Sequence, residues 1–304
     1  MKKVLLAFTV IVVLFVAGVY LFVPKQLRIA EAGIVTATFP AAKRFIFDRG
    51  LWSKWADTTK LEQAYHHDIT NTFFTKTDIV LSKAGESFPT SLRLIPLGND
   101  STGIEWEYNM PTGNNPFTRI ARYQEAKQLK THMDSMMFKL NVFLNDLDRV
   151  YGTAVRKAQL PDRPLLSKLV VLNREPHAND AYALLSEVKA AARQQNDSAV
   201  GPAMKYSSRL DSTHYELMVA IPTSRMLKTK GDFVAKGLVG GNLIATEVRG
   251  GEAALQRAWE GIRQYKADYR LSSPAIPFEE FVTDRTIVSD TTKWITKIFY
   301  PIRF

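Results

Sequence analysis

The sequence predicts an α+β protein in which one membrane-spanning helix precedes two folded domains. Residues 4–23 form an uncharged, mostly apolar run. Beyond this run, short segments with strand-like alternation are mixed with a few segments of helical spacing. Residues 153–167 contain Pro161 and Pro164 but no apolar period, which is typical of a linker. We therefore expect domains at residues 28–152 and 168–304, joined by a linker at residues 153–167.

The composition is that of a globular protein and excludes several kinds of chemistry. Of the 304 residues, 46% are hydrophobic and 23% are charged. The chain has no cysteine, which excludes disulfides, thiolate catalysis and cysteine-ligated metals. Its net charge of +10 is spread over both halves of the sequence rather than gathered in one patch. The sequence therefore predicts no nucleic-acid partner.

The run at residues 4–23 is long enough to cross a lipid bilayer. At about 1.5 Å per helical residue, its 20 residues cover the roughly 30 Å hydrocarbon core. Lys2 and Lys3 precede the run, which favours a cytoplasmic N-terminus and domains outside the cytoplasm. We expect a single-pass protein of the cell (inner) membrane. A cleaved signal peptide is the alternative, with the small-residue site at Ala30 and Ala32.

The first domain reads as strands followed by one long helix. Strand-like segments lie at residues 33–39, 66–81, 90–96 and 103–108. A helical apolar stripe rich in methionine then runs from Leu129 to Tyr151, and Gly152 is placed to end it. The stripe is either plain core packing or a lid over an apolar cavity, since methionine side chains adapt to either use.

This order of elements resembles a known superfamily. A strand, a short helix ending in Trp52 and Trp55, a run of strands, and Asn115-Pro116-Phe117 leading into a long helix follow one another. The order is similar to that of the START-like helix-grip (SRPBCC, polyketide-cyclase-like) superfamily. The resemblance implies a sheet curled around the long helix with a hydrophobic cavity between them. Trp52 and Trp55 can equally be core residues.

The second domain repeats one order of elements. Residues 169–172, 204–209 and 215–221 read as strands around a helix at residues 181–192. Residues 242–248, 278–282 and 294–300 then read as strands around a helix at residues 253–265. Residues 223–236 connect the first group of strands and helix to the second. The pattern predicts two successive β-α-β-β units, an internal duplication of architecture.

The second unit carries a more specific resemblance. Five motifs follow one another: Gly240-Gly241, Gly250-Gly251, Ala258-Trp259, Pro277-Phe278-Glu279-Glu280-Phe281 and Thr296-Lys297-Ile298-Phe299-Tyr300-Pro301-Ile302. Their order and spacing resemble those of the GyrI-like, or AraC effector-binding, family. The resemblance covers residues 168–304 and implies a groove that binds small, often aromatic and cationic, molecules. The family's glutamate falls on Glu279. Phe281 stands where the family commonly has tyrosine, so a hydroxyl group is missing there.

The residues themselves make Glu279 a candidate for ligand binding. Alternate side chains of a strand face opposite ways, so Glu279 and Phe281 share one face and Glu280 takes the other. A carboxylate among aromatic rings is costly to ionise without a cation, which lets a pocket select cationic ligands. Trp259, Phe281 and Tyr300 are the candidate walls. The alternative is that Glu279 pairs with a neighbouring lysine or arginine.

The sequence contains no motif typical of a metal site, a catalytic nucleophile, a phosphate-binding loop or a DNA-binding helix pair. The five histidines show no metal-ligand spacing, and there is no nucleophile elbow, phosphate loop or helix-turn-helix. We expect no metal, no cofactor and no catalytic residue. The sequence favours a membrane-anchored protein that binds or senses a small hydrophobic or cationic ligand, with its protein partner unknown. The alternative is a hydrolase of hydrophobic small molecules that uses Glu279 as an acid or base.

Overall fold

The computed structural model describes residues 2–238 and 240–303 and forms two compact units, Met1–Val150 and Tyr151–Phe304. Each unit combines helices with one antiparallel sheet, so the predicted α+β class is confirmed. The first helix of the chain is long and apolar enough to cross a membrane. That finding rests on length and composition.

The first unit is a five-stranded sheet with one long helix. Its helices are α1 (Lys2–Phe22), α2 (Phe39–Phe47), α3 (Thr58–Ala64), α4 (Pro116–Leu144) and α5 (Leu147–Tyr151), the last ending at the unit boundary. Its strands are β1 (Gln26–Val35), β2 (His66–Thr72), β3 (Lys76–Lys83), β4 (Glu86–Pro96) and β5 (Thr102–Pro111). The strand order is β1-β5-β4-β3-β2.

Helix α4 packs on the sheet through the predicted methionine stripe. The Asn115 side chain caps the helix by accepting from the Phe117 backbone N–H at 2.9 Å, and Pro116 fits the first turn. Met133, Met136 and Met137 are buried. A cavity of only about 10 Å³ remains between Met136 and the sheet residue Trp106, which is too small for a ligand. The stripe is core packing, and the hydrophobic cavity expected in the first domain is filled by side chains.

The two tryptophans after α2 are also part of this core. Trp52 and Trp55 are buried, and their indole N–H groups donate to the backbone carbonyls of Ile46 at 3.0 Å and Phe45 at 3.2 Å. These bonds satisfy carbonyl groups in the last turn of α2. Both residues therefore hold the end of that helix in place.

The second unit is built on one eight-stranded sheet. Its strands are β6 (Arg156–Leu160), β7 (Arg163–Leu172), β8 (Ala203–Arg209), β9 (Tyr215–Pro222), β10 (Phe233–Leu238), β11 (Gly241–Arg249), β12 (Phe278–Phe281) and β13 (Ile295–Pro301). Its helices are α6 (Ala178–Arg193) and α7 (Glu252–Asp268). The strand order β10-β7-β9-β8-β12-β13-β11-β6 brings the two strand-helix-strand-strand sets together at β8 and β12.

The expected linker is instead part of this sheet. Residues 153–167 contain β6 and the first half of β7, and β6 pairs with the distant strand β11. The segment between the two sets likewise contains β10, which pairs with β7. The β6–β7 connection meets the β10–β11 connection where the backbone N–H of Gly240 donates to the Asp162 carboxylate at 2.5 Å. A Cβ atom at Gly240 would collide with the Leu160 carbonyl oxygen. The pairing partners of these strands lie far along the chain, so no local pattern of the sequence predicts the pairing.

A histidine pair, with His67 buried and His132 half-buried, lies in the first unit. His67 of β2 and His132 of α4 place their Nε2 atoms 3.0 Å apart, so at least one of the rings must be neutral to accept the bond. Burial lowers the pKa of both, and the positive charges of His67, Lys139 and Lys83 help to lower the pKa of His132 to about 4. Glu62 opposes the shift at His67, while Arg49 adds to it.

The pair should make the first unit sensitive to acid. A depressed pKa means that the unfolded chain takes up protons first, so stability is complete above pH ~6.5 and is lost as the pH falls towards about 4. Each histidine contributes at most about 1.4 kcal/mol per pH unit. We expect His132→Gln, which keeps a hydrogen-bonding group, to unfold with a shallower pH dependence in urea titrations followed by tryptophan fluorescence. Equal slopes for His132→Gln, the wild type and the exposed control His214→Gln would contradict this.

Candidate functional site

Strand β12 presents its two glutamates to opposite faces of the second sheet. Glu279 lies beside Lys205 and Glu280 lies beside Met204 in the pairing with β8. Trp259 of α7 hydrogen-bonds Glu279, and Tyr182 of α6 stacks on Phe281 with ring centroids 5.6 Å apart. Both helices therefore lie on the face that carries Glu279 and Phe281, and Glu280 lies on the other face.

A groove of about 420 Å³ opens on the helix-bearing face, with Glu279 at its buried floor. One wall comes from α7 and the other from β8, the start of β9 and the chain before α6. The lining residues are Glu175, Pro176, Lys205, Tyr206, Ser207, Ser208, Arg209, Tyr215, Glu252, Gln256, Trp259, Arg263, Pro277, Glu279 and Tyr300. The volume falls within the usual range for small-molecule pockets.

The carboxylate of Glu279 has two partners. Its Oε1 accepts from the Trp259 indole N–H at 2.9 Å, and its Oε2 lies 3.4 Å from Lys205 Nζ. The side chains of Lys205 and Glu279 are only 13% and 8% exposed, so water screens this pair poorly. The pairing of Glu279 with a neighbouring lysine, one of the two alternatives from the sequence, is present, and it occurs inside the groove.

The aromatic walls carry cations of their own. The rings of Trp259 and Tyr300 meet edge to face with centroids 6.5 Å apart. Arg263 lies 5.2 Å from the Trp259 ring centre, and Lys266 lies 5.2 Å from that of Tyr300. These distances allow cation–π contacts. An aromatic or cationic ligand must therefore share these rings with Arg263 and Lys266 or displace them.

Three of the four sequence-predicted site residues line this groove, and Phe281 does not. Phe281 is buried in an apolar cluster between the sheet and α6, with Tyr182 on its ring and Arg285 4.7 Å from its ring centre. It shares a strand face with Glu279, but α6 covers that end of β12. Its role is core packing, and the hydroxyl missing at this position does not face the groove.

Sequence reasoning missed Lys205, Tyr206 and Arg263. Lys205 reaches Glu279 because β8 and β12 are neighbours, although the two residues are 74 positions apart. Arg263 follows Trp259 by one helical turn, and that spacing is a signal the sequence does contain. The pairing of β8 with β12 has no such local signal.

Glu280 has a separate structural environment. Burial raises its pKa, and Arg163 at 3.8 Å and Lys297 oppose the rise. Its Oε1 has no hydrogen-bond partner within residues 2–238 and 240–303. Glu280 is therefore a buried carboxylate of the same strand that does not line the groove, which makes it a matched control for Glu279.

Comparisons with known proteins do not assign this chain to a family. Protein-family models and curated proteins give no match. Among solved structures, the EcmrR–DNA complex matches with a TM-score of 0.46 at 15% identity, over 62% of this chain and 73% of EcmrR. SAV2435 bound to tetraphenylphosphonium matches with a TM-score of 0.36 at 17% identity, over 49% and 94%. A hydrolase from Listeria innocua matches with a TM-score of 0.38 at 7% identity, over 50% and 92%.

Metal ligands do not converge in the described part of the chain. Within it, no three histidine, aspartate or glutamate side chains are grouped to hold a metal ion. The groove offers a carboxylate, an ammonium group, aromatic faces and hydroxyl groups. This donor set suits the binding of an organic molecule by charge, stacking and hydrogen bonds.

Proposed function

We propose that the protein is a membrane-anchored binding protein for a small aromatic cation, and that the ligand occupies the groove above Glu279. The observation that carries the proposal is a buried carboxylate at the floor of a 420 Å³ aromatic-walled groove. Its cationic partner, Lys205, also lines the groove and lies 3.4 Å from the carboxylate. A ligand cation can replace Lys205 on the carboxylate, provided that the displaced ammonium group, whose side chain is 13% exposed in the pair, moves out to water.

The contacts of Glu279 suggest how the exchange occurs. The Trp259 bond at 2.9 Å has a typical length and fixes the carboxylate plane, whereas the Lys205 contact at 3.4 Å is long for a charged pair. The ammonium group is therefore the partner more easily displaced. Stacking on Trp259 and Tyr300 adds attraction for an aromatic cation. We propose that ligand binding frees Lys205 to swing towards Tyr206 and the end of β8.

The order of elements in the second unit supports a GyrI-like assignment as part of this proposal. Two strand-helix-strand-strand sets meet at the centre of one sheet, with both helices on one face. For the first unit, a five-stranded sheet with a long helix packed on it supports a START-like assignment. Because side chains fill the interior of the first unit, we assign ligand binding to the second unit alone.

The hydrolase alternative gains no support from the partners of Glu279. An acid or base needs a reacting group or an orienting side chain within hydrogen-bond reach. In the part of the chain that the structure describes, the hydrogen-bond partners of Glu279 are an indole N–H and an ammonium group. Neither is a nucleophile that the carboxylate could activate at neutral pH.

We further propose that α1 anchors the protein in the cell (inner) membrane. Most of α1 is exposed and apolar, but Val19 and the following Val23 are buried. The Tyr20 hydroxyl donates to the Asn114 carbonyl, and buried Arg119 donates to the Val23 carbonyl at 2.8 Å. The end of α1 is therefore tied to the start of α4, and cleavage of a signal peptide near Ala30 would remove these contacts.

Replacement of Glu279 by glutamine tests the contribution of the carboxylate charge, because the shape of the side chain is kept. Glu279→Gln keeps the hydrogen bond from Trp259 but removes the charge, so the affinity for tetraphenylphosphonium should fall by roughly ten-fold to a hundred-fold. Affinity for neutral triphenylphosphine oxide should stay the same. Lys205→Met removes the competing cation and should strengthen phosphonium binding. Equilibrium dialysis of the full chain in detergent, corrected for binding to empty micelles, measures each value.

The control is Glu280→Gln, the same substitution on the opposite face of β12. It should leave phosphonium affinity within about two-fold of the wild type. Equal losses for Glu279→Gln and Glu280→Gln would show that the effect comes from the fold. Weaker phosphonium binding by Lys205→Met would show that Lys205 supports the site rather than competing for it.

The anchor has its own test. The full chain should stay in the membrane pellet after alkaline carbonate washing, and protease added to intact spheroplasts should digest both units. Recovery of a soluble chain that begins near Gly33 would contradict the anchor. Protection of both units from protease would reverse the proposed orientation.

A further inference from the structure

A second cavity, open to solvent, lies on the sheet face opposite α6 and α7. It has a volume of about 460 Å³. Its floor is the apolar cluster of Leu165, Met204, Ala220 and Phe278. Leu160, Leu238 and Gly240 also line the space. One end of the space is therefore formed by the β6–β7 and β10–β11 connections, which meet at the hydrogen bond between Asp162 and Gly240. Only Lys205 and Tyr206 are shared with the groove above Glu279.

The charges lining this space are all positive. Its lining contains Lys205 and Lys236 and no aspartate or glutamate among the described residues. Lys205 is paired with Glu279. Lys236 lies beside Leu165 in the pairing of β10 with β7, so both side chains lie on the sheet face that borders this space. The space therefore combines an apolar surface with one lysine that no carboxylate neutralises within the described chain.

The ammonium group of Lys236 is poorly satisfied. Its hydrogen-bond partner is the Met218 thioether sulfur at 3.0 Å, and a thioether is a weak acceptor. Burial lowers the pKa of Lys236, and no neighbouring charge adds to or opposes this effect. Placing an ammonium group in apolar surroundings costs free energy that an anionic partner would recover.

We propose that this space is a second binding site, for a single-chain molecule with one carboxylate head group, of the fatty-acid class. The carboxylate binds Lys236 Nζ, and the hydrocarbon chain lies over Met204, Ala220 and Phe278. Charge selects the head group, and the apolar lining selects the tail. The site is distinct from the groove above Glu279, with which it shares Lys205 and Tyr206, and it has the opposite charge preference.

The test uses dansyl-undecanoate, a fluorescent fatty acid, with the full chain in detergent and the signal of empty micelles subtracted. Lys236→Met should weaken binding roughly ten-fold or more, whereas Lys236→Arg should keep it within about three-fold. Ala220→Leu places extra atoms inside the space and should also weaken binding. The exposed control Lys230→Met should have no effect, and the groove variant Glu279→Gln should not weaken binding, because it only releases Lys205 from its carboxylate.

Three results would overturn the proposal. One is equal binding of dansyl-undecanoate and its uncharged methyl ester by the wild type. Another is unchanged binding in both Lys236→Met and Ala220→Leu. The third is a loss in Glu279→Gln as large as that in Lys236→Met, because the fatty acid would then occupy the groove on the helix-bearing face. Circular dichroism melts of each variant confirm that a loss of binding is not a loss of fold.

Discussion

The buried pair of Lys205 and Glu279 joins the two halves of the second sheet. β8 belongs to one strand-helix-strand-strand set and β12 to the other, and these two strands meet at the centre of the sheet. Trp259 extends the connection from β12 to α7 through its hydrogen bond to Glu279. Two charges with little access to water are expensive unless they are paired. The pair therefore links the fold to the site, since any ligand that binds Glu279 must compensate the same charge.

The two faces of this sheet have different chemistry because strand residues alternate. Glu279 faces the groove on the helix-bearing side, where acidic and basic side chains both line the walls. Met204 and Phe278 face the opposite side, where the lining of the second space is mostly apolar and its charged residues are Lys205 and Lys236. Glu280 also faces this side but does not line the space. A one-residue shift in the pairing of β8 with β12 would exchange these faces. Register thus determines which class of ligand each face can accept.

The sequence predicted the local elements better than the long-range pairings. The uncharged run of α1 and the alternation of β11 and β13 are local patterns, and each appears as a helix or strand. The stripe predicted as one helix from Leu129 to Tyr151 is divided between α4 and α5. The segment containing β6 was expected to be a linker because its pairing with β11 leaves no local signal. Glu279, Trp259 and Tyr300 were predicted at one site and line one groove. Phe281 was misplaced because strand alternation gives its face but cannot show that α6 covers it. Lys205 was missed because its partner lies 74 positions away.

The exchange of Lys205 for a ligand cation is the central claim, and a structure of the full chain with tetraphenylphosphonium bound tests it most directly. We expect that the phosphonium lies over the Glu279 carboxylate, that the Trp259 bond stays near 2.9 Å, and that Lys205 Nζ moves out of hydrogen-bond range of Oε2. A phosphonium seated in the groove with the Lys205 contact still at 3.4 Å would contradict the account, and so would a ligand bound only on the opposite face of the sheet.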